Sequence, residues 1–234
     1  EFIGNVEPST RSVSTALNAN LASLFTGGAP TLTSAEIKEV NDAYAKMTSI
    51  NCYRNIDEAV RNKTSYAGTI FLDDTYASAY FRKGSLAFPP YGILASSMEH
   101  EFIHMYQRDV QGKKVDTDKE KRDTGMMEFE LAFYQGIIRY IHAGYSWTFK
   151  GEDGDPSYQS LWTSGLTDPS LIPQYEREFQ TYVASICANG KPTSIDINEF
   201  VKWSNIFGEY SRGYSGKGYK FGNYDYGTSC INSL

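Results

Sequence analysis

The sequence is poor in the residues that most often build metal and redox sites. Its 234 residues include three histidines and three cysteines, and no two cysteines form a C-x-x-C pair, which excludes a zinc ribbon and a dithiol redox motif. No apolar run approaches the roughly 20 residues of a transmembrane helix, so we expect no membrane-spanning segment. Positive charge is also lacking: the formal net charge is −6, which argues against nucleic acid as the main partner.

The composition is otherwise that of an ordinary globular protein, with 41% hydrophobic and 21% charged residues. The length predicts one domain over residues 1–234, or two small lobes around a cleft. The chain begins at Glu1 without an initiator Met, which we interpret as removal of an export signal and hence an extracytoplasmic location. The cysteines Cys52, Cys187 and Cys230 leave two possibilities open, one disulfide with a free thiol or no disulfide.

Apolar periodicity predicts a mainly helical α+β fold. Thr33 and Glu36 form a capping-box pattern that begins one helix. Further helices are predicted over residues 16–25, 93–110, 126–141, 174–187 and 194–207. Residues 69–72 form the best strand, which residues 79–81 extend or pair with. Polar stretches predict an exposed loop or a frayed helix end over residues 111–125 and a loop over residues 151–156. The Gly- and Tyr-rich tail from 213 is predicted to be irregular or hairpin-like.

The stretch "MEHEFIHMYQ", residues 98–107, carries the chemistry. His100 and His104 are four positions apart, so a helix presents both rings on one face, where they can ligate one Zn²⁺ ion. Glu101 lies about 100° around the helix, from where it can reach a metal-bound water and act as the general base of a hydrolase. The alternative interpretation is an amphipathic helix with two exposed or hydrogen-bonded histidines.

A catalytic zinc site needs a third protein ligand. The residues after His104 do not continue to the further histidine of the metzincin pattern, so we look to the next helix, "MMEFELAFYQ". Glu128 shares its helix face with the small Ala132, which permits close helix approach. Glu130 lies on the most apolar stripe, where an ionised carboxylate is costly unless it is paired or binds metal. The residues themselves leave the choice open.

An H-E-x-x-H helix followed by "MEFE" on the next helix resembles the gluzincin class of zinc metallopeptidases, which includes the thermolysin-like enzymes. It is also similar to extracytoplasmic zincin-like proteins of gut Bacteroidetes, and the resemblance covers residues 98–138. It implies a zincin-like fold with a small sheet, and a Zn²⁺ cofactor held by His100, His104 and Glu128. It further implies Glu101 as the catalytic base, with Glu130 left to support the ligands.

The implied substrate is a peptide or protein, bound as an extra strand along a sheet edge such as Thr69–Leu72. An oxyanion-stabilising residue is also expected, and Tyr106, His142, Tyr224 and Tyr226 are all candidates. Two other functions stay open: a non-catalytic surface or binding module on the same scaffold, and zinc-dependent hydrolysis of a non-peptide amide.

Overall fold

The computed structural model describes residues 16–112, 121–142, 161–164, 166–187 and 195–210. Over these residues the protein is mainly helical with one small sheet, which confirms the α+β prediction at that level. The strands are β1 (Ile70–Leu72), β2 (Tyr80–Arg82) and β3 (Ser85–Phe88). The helices are α1 (Ala19–Leu24), α2 (Ser34–Thr48), α3 (Asn51–Lys63), α4 (Ala95–Met105), α5 (Lys121–His142), α6 (Leu161–Ser164), α7 (Ile172–Ile186) and α8 (Ile197–Tyr210).

Helix α2 begins at the predicted capping box. The Thr33 hydroxyl accepts a hydrogen bond from the Glu36 N–H at 3.3 Å, and the Glu36 carboxylate accepts one from the Thr33 N–H at 2.6 Å. These two bonds satisfy backbone donors that have no partner inside the helix. The helix then buries Val40, Tyr44 and Met47 on one stripe, as their spacing predicts.

The sheet has the order β1-β3-β2, with β1 parallel and β2 antiparallel to the central β3. The prediction that residues 79–81 extend or pair with β1 is therefore wrong, because this segment pairs with β3, a strand that the sequence pattern did not indicate. Two residues join β2 to β3, Lys83 with φ 51° and Gly84 with φ 78°. Such positive φ angles match the twist of a tight hairpin and fix its register.

Helix α3 and the beginning of helix α5 differ from the prediction. Helix α3 was not predicted, since Ile50 before it provides no side-chain cap, although Cys52, Ile56 and Val60 are buried at helical spacing. Helix α5 begins at Lys121, so the predicted loop 111–125 is too long, because lysine and arginine are good helix formers. Residues 113–120, 151–156 and the tail from 213 lie outside the described residues.

Helix α4 occupies the predicted span and then changes geometry. It is followed by a π-helical turn over Tyr106–Val110, in which the Gln111 N–H donates to the Tyr106 carbonyl at 3.1 Å. Helix α4 packs against α2 and α3 on one side and contacts α5 and β2 on another, while α5 packs against α6 and α8. The α4–α5 contact therefore joins the two groups of helices.

The buried side chains form one connected cluster that runs from α1 to α8. Around α5 it consists largely of aromatic rings, including Phe129, Phe133, Trp162, Phe179 and Phe200. Within the described part of the chain, no helix combines the length and apolar character needed to cross a bilayer.

The cysteines are in different states. Cys52 is disulfide-bonded, whereas Cys187 is a free thiol and is buried. Cys230 lies outside the described residues. Of the two possibilities that the sequence left open, the state of Cys52 excludes the absence of any disulfide.

Candidate metal centre

Three side chains from two helices converge between α4 and α5. The Nε2 atoms of His100 and His104 are 3.1 Å apart, and Glu128 places Oε1 3.2 Å from His104 Nε2 and Oε2 3.6 Å from His100 Nε2. One donor atom from each residue lies within 4.8 Å of the other two, so this group could hold a metal ion. Two imidazole nitrogens and a carboxylate oxygen form a donor set that suits Zn²⁺ and leaves a fourth tetrahedral position open.

Glu130 does not belong to this group. It is two positions from Glu128 on α5, so its side chain points to nearly the opposite face of the helix. Its Oε2 accepts a hydrogen bond at 2.8 Å from Nε2 of Gln107, and the Glu130 side chain is buried. The structure therefore brings Glu128, and not Glu130, to the two histidines.

Gln107 connects Glu130 to His104. Its amide nitrogen donates to Glu130 and to the Met127 carbonyl at 3.1 Å, and its amide oxygen lies 3.0 Å from Nδ1 of His104. Because the oxygen can only accept, Nδ1 of His104 is the donor, and Nε2 is the nitrogen that faces Glu128 and would bind a metal once its proton is released. The sequence analysis did not single out Gln107. The signal that could have indicated it is a polar side chain three positions after His104, in an otherwise apolar helical segment.

Glu101 lies beside the group as a buried carboxyl with 5% of its surface exposed. Its Oε1 is 4.0 Å from Nε2 of His100. Its pKa is raised to about 7, chiefly by burial and also by the charge of Glu128, while His104 and a hydrogen bond from the Phe81 backbone oppose the shift. A carboxyl with a pKa near neutrality can both take up and release a proton at physiological pH.

The two histidines are shifted in opposite directions. Burial, together with the charge of His104, lowers the pKa of His100 to about 4. Burial would also lower the pKa of His104, but the hydrogen bond and charge of Glu128 outweigh it and raise that pKa to about 9. The pKa of Glu128 is lowered against its burial by the same contact with His104. Glu128 therefore brings a negative charge into a buried site, which favours a cation there.

A cavity of about 280 Å³ opens onto the group, with β2 on one side and α4 and α5 on the other. The strand beside the site is thus β2, whereas the predicted edge strand, residues 69–72, corresponds to β1 at the far edge of the sheet. Tyr80 and Phe81 of β2 line this cavity.

Arg108 is the only lysine or arginine among the described residues that line this cavity, and sequence reasoning missed it. Its Nε donates to Asp109 at 2.7 Å, and its guanidinium carbon lies 4.4 Å from the centre of the Phe81 ring. The Tyr66 hydroxyl donates to Asp109 as well. These contacts hold the guanidinium in place between the π-helical turn and β2.

The predicted oxyanion residues are not brought to the site by the described residues. His142 lies roughly 14 positions beyond Glu128 on α5, or about 21 Å along the helix. Tyr106 is in the π-helical turn but is not among the described residues that line the cavity. Tyr224 and Tyr226 lie outside the part of the chain that the structure describes.

No family model, curated protein or solved structure matches this chain. Inferences about its chemistry therefore depend on the side chains of the site and their geometry.

Proposed function

We propose that the protein is a zinc-dependent metallopeptidase of the zincin type. The observation that carries the proposal is the convergence of His100, His104 and Glu128, with the buried Glu101 carboxyl beside them in one cavity. Zinc bound there would polarise the scissile carbonyl and lower the pKa of the attacking water. A pre-formed, partly buried donor set of this composition is what such chemistry requires.

The protein side chains transfer the proton, support the metal ligand and orient the substrate. Glu101 takes a proton from the attacking water as the C–O bond forms, and then gives that proton to the amine nitrogen as the C–N bond breaks. Gln107 and Glu130 hold His104 in the tautomer that directs Nε2 to the metal, by the hydrogen bonds described above. Arg108 supplies positive charge to the cavity and is our candidate for orienting the substrate carbonyl.

A peptide in extended form is the substrate class that we propose. Strand β2 is the last strand of the described sheet on the cavity side, so an extended peptide can add to its outer edge beside Glu101. The strand is three residues long, which limits the main-chain hydrogen bonds that it can offer. We propose an extracytoplasmic location as well, supported by the disulfide at Cys52, because structural disulfides persist in oxidising compartments.

Metal content and cleavage test the proposal together. Protein purified without added zinc should contain about one zinc per chain, and His100→Ala should lose it. His142→Ala is the matched control, because this histidine lies outside the donor group and its loss should leave the zinc content unchanged. Absence of metal in the wild type, with identical content in His100→Ala, would refute the site.

A peptide library then tests the enzyme. Wild-type protein should cleave members of the library, and Glu101→Gln should lose this activity by roughly a thousandfold or more while it still binds zinc. If the wild type binds zinc but cleaves no peptide, the proposed activity is wrong and the protein is a metal-holding binding module.

A further inference from the structure

A second cavity, of about 340 Å³, lies at the other end of the α4–α5 pair. It is lined by residues from the end of α2, the beginning of α3, the beginning of α4 and the end of α5. None of its described lining residues is shared with the metal cavity. Its volume falls in the range of small-molecule sites, roughly 300–1,000 Å³.

Opposite charges face this cavity without touching. Glu99, with 8% of its surface exposed, and Arg139 both line it and attract each other electrostatically, yet they form no ion pair within 4 Å. Lys46 adds a second cationic group to the lining. A carboxyl group and a guanidinium that line one cavity without pairing would be bridged by a molecule that carries both an ammonium and a carboxylate group.

A buried hydroxyl group, whose oxygen can accept a hydrogen bond, also lies beside it. The Tyr53 side chain is 0% exposed and lines the cavity, and its hydroxyl has no partner within hydrogen-bond distance. The charges of Glu99 and Arg139 act on this hydroxyl, and the side chains of Glu99 and Gln135 lie close to it without meeting the geometry of a hydrogen bond. Leaving a buried hydroxyl without a hydrogen bond costs free energy, which a bound polar ligand would recover.

The first turn of α4 adds a place for an anion. Leu94, the residue before this 11-residue helix, makes no side-chain capping bond, and Ala95 and Ser96 line the cavity. The N–H groups of a first helical turn have no partner inside the helix and favour negative charge. The walls are apolar where Ile50, Leu94 and Ile138 contribute, which suits a hydrocarbon side chain.

We propose that this cavity binds a free α-amino acid with an apolar side chain. The ammonium group lies at Glu99 and Tyr53, and the carboxylate lies at Arg139 and the first turn of α4. The side chain packs against the apolar wall. This site is separate from the metal centre, and the proposal does not depend on peptidase activity.

Titration calorimetry on the full chain tests the ligand class directly. L-leucine and L-phenylalanine are the probes, with N-acetyl-leucine lacking the ammonium and leucinamide lacking the carboxylate. The amino acids should bind, and each blocked derivative should bind roughly tenfold more weakly or worse. No saturation by either amino acid up to about 10 mM, or equal binding of the blocked forms, would overturn the proposal.

Variants locate the site. Glu99→Gln and Arg139→Gln should each weaken leucine binding roughly tenfold or more, whereas Glu58→Gln, at an exposed carboxylate on α3, should not. Circular dichroism and zinc content show whether each variant is folded. If Glu99→Gln does not fold, Arg139→Gln and the blocked ligands on the wild type still decide. Unchanged leucine affinity in a folded Arg139→Gln variant would refute the site.

Discussion

At the scale of single residues, Glu128 and Glu130 are the two candidates for the third metal ligand. Glu128→Gln removes the anionic donor of the group and should lower zinc affinity by roughly a hundredfold or more. Glu130→Gln keeps an oxygen that can accept the Gln107 hydrogen bond, so its effect should be much smaller. Competition for zinc with a chelator of known affinity measures both. Equal losses in the two variants would mean that Glu128 is not the ligand.

Gln107 is the second residue whose role can be isolated. Gln107→Leu removes the acceptor for Nδ1 of His104 and should lower zinc affinity by about 10–100-fold, the usual cost of losing such a support. Gln135→Leu is the matched control. Gln135, on α5, is as buried as Gln107 but lies outside the metal group. It should alter stability and leave zinc affinity close to that of the wild type. The same chelator competition compares them.

How much of the site could be predicted from the sequence depends on how far apart in sequence the contacting residues lie. His100, Glu101 and His104 belong to one helix, so their spacing alone predicts their relative positions. Glu128 and Glu130 both fit the sequence, and the rotation of α5 against α4 distinguishes them. Gln107 and Arg108 follow His104 directly, yet their roles arise from contacts with Glu130 and Phe81. Those contacts are tertiary and leave no local periodic signal.

At the scale of elements, the β2–β3 hairpin places β2 beside the site. Gly68 has no Cβ atom, which allows the turn of this hairpin to pack closely against it. A Cβ atom at Gly68 would lie 2.2 Å from the Gly84 carbonyl oxygen, so Gly68→Ala must displace backbone of the hairpin turn. We expect a loss of about 2–4 kcal/mol in the free energy of unfolding. Urea denaturation measures this loss.

Gly28→Ala is the control for that prediction. Gly28 also precedes the sheet and has φ of +69°, but a Cβ atom there would meet nothing within 4 Å. Its replacement should cost only the conformational penalty, about 1–2 kcal/mol. A loss at Gly68 no larger than that at Gly28 would show that the hairpin yields to the added carbon without cost.

The elements that were predicted correctly share a local signal. Helix α2 has a capping box and a periodic apolar stripe, and α4 and α7 have periodic stripes. Helix α3 lacks a capping residue, and β3 is only four residues long before Pro89. The pairing of β3 with β2 is a local hairpin, but its parallel pairing with β1 joins Ile70 to Leu86 across the whole of β2. That contact leaves no local signal, which explains why the sheet order could not be read from the chain.

At the scale of the whole molecule, Cys187 reports on global unfolding. Burial raises the pKa of its thiol from 9.0 to about 11, so the native state holds the proton more tightly than the unfolded chain does. This difference in pKa contributes to the free energy of unfolding below pH 9, and the contribution is lost as the pH rises toward about 11. The loss relative to Cys187→Ala should be on the order of 2 kcal/mol.

Urea denaturation of wild type and Cys187→Ala at about pH 8 and at about pH 10.5 measures this difference. Because Cys187→Ala keeps every other titratable group, the difference between the two proteins isolates the titration of the Cys187 thiol. A wild-type stability that tracks the variant at both pH values would contradict the burial of the thiol. A thiol-reactive dye should likewise label Cys187 only after unfolding.

His104 and Glu128 are roughly 24 positions apart in the sequence, on helices that pack against each other. An ion shared by these two residues would tie the intervening chain into a closed loop. The entropy of closing such a loop changes slowly with its length, by about 0.6 kcal/mol for each doubling. The proposed centre would therefore constrain how α4 meets α5 and tolerate wide variation in the length of the segment between them.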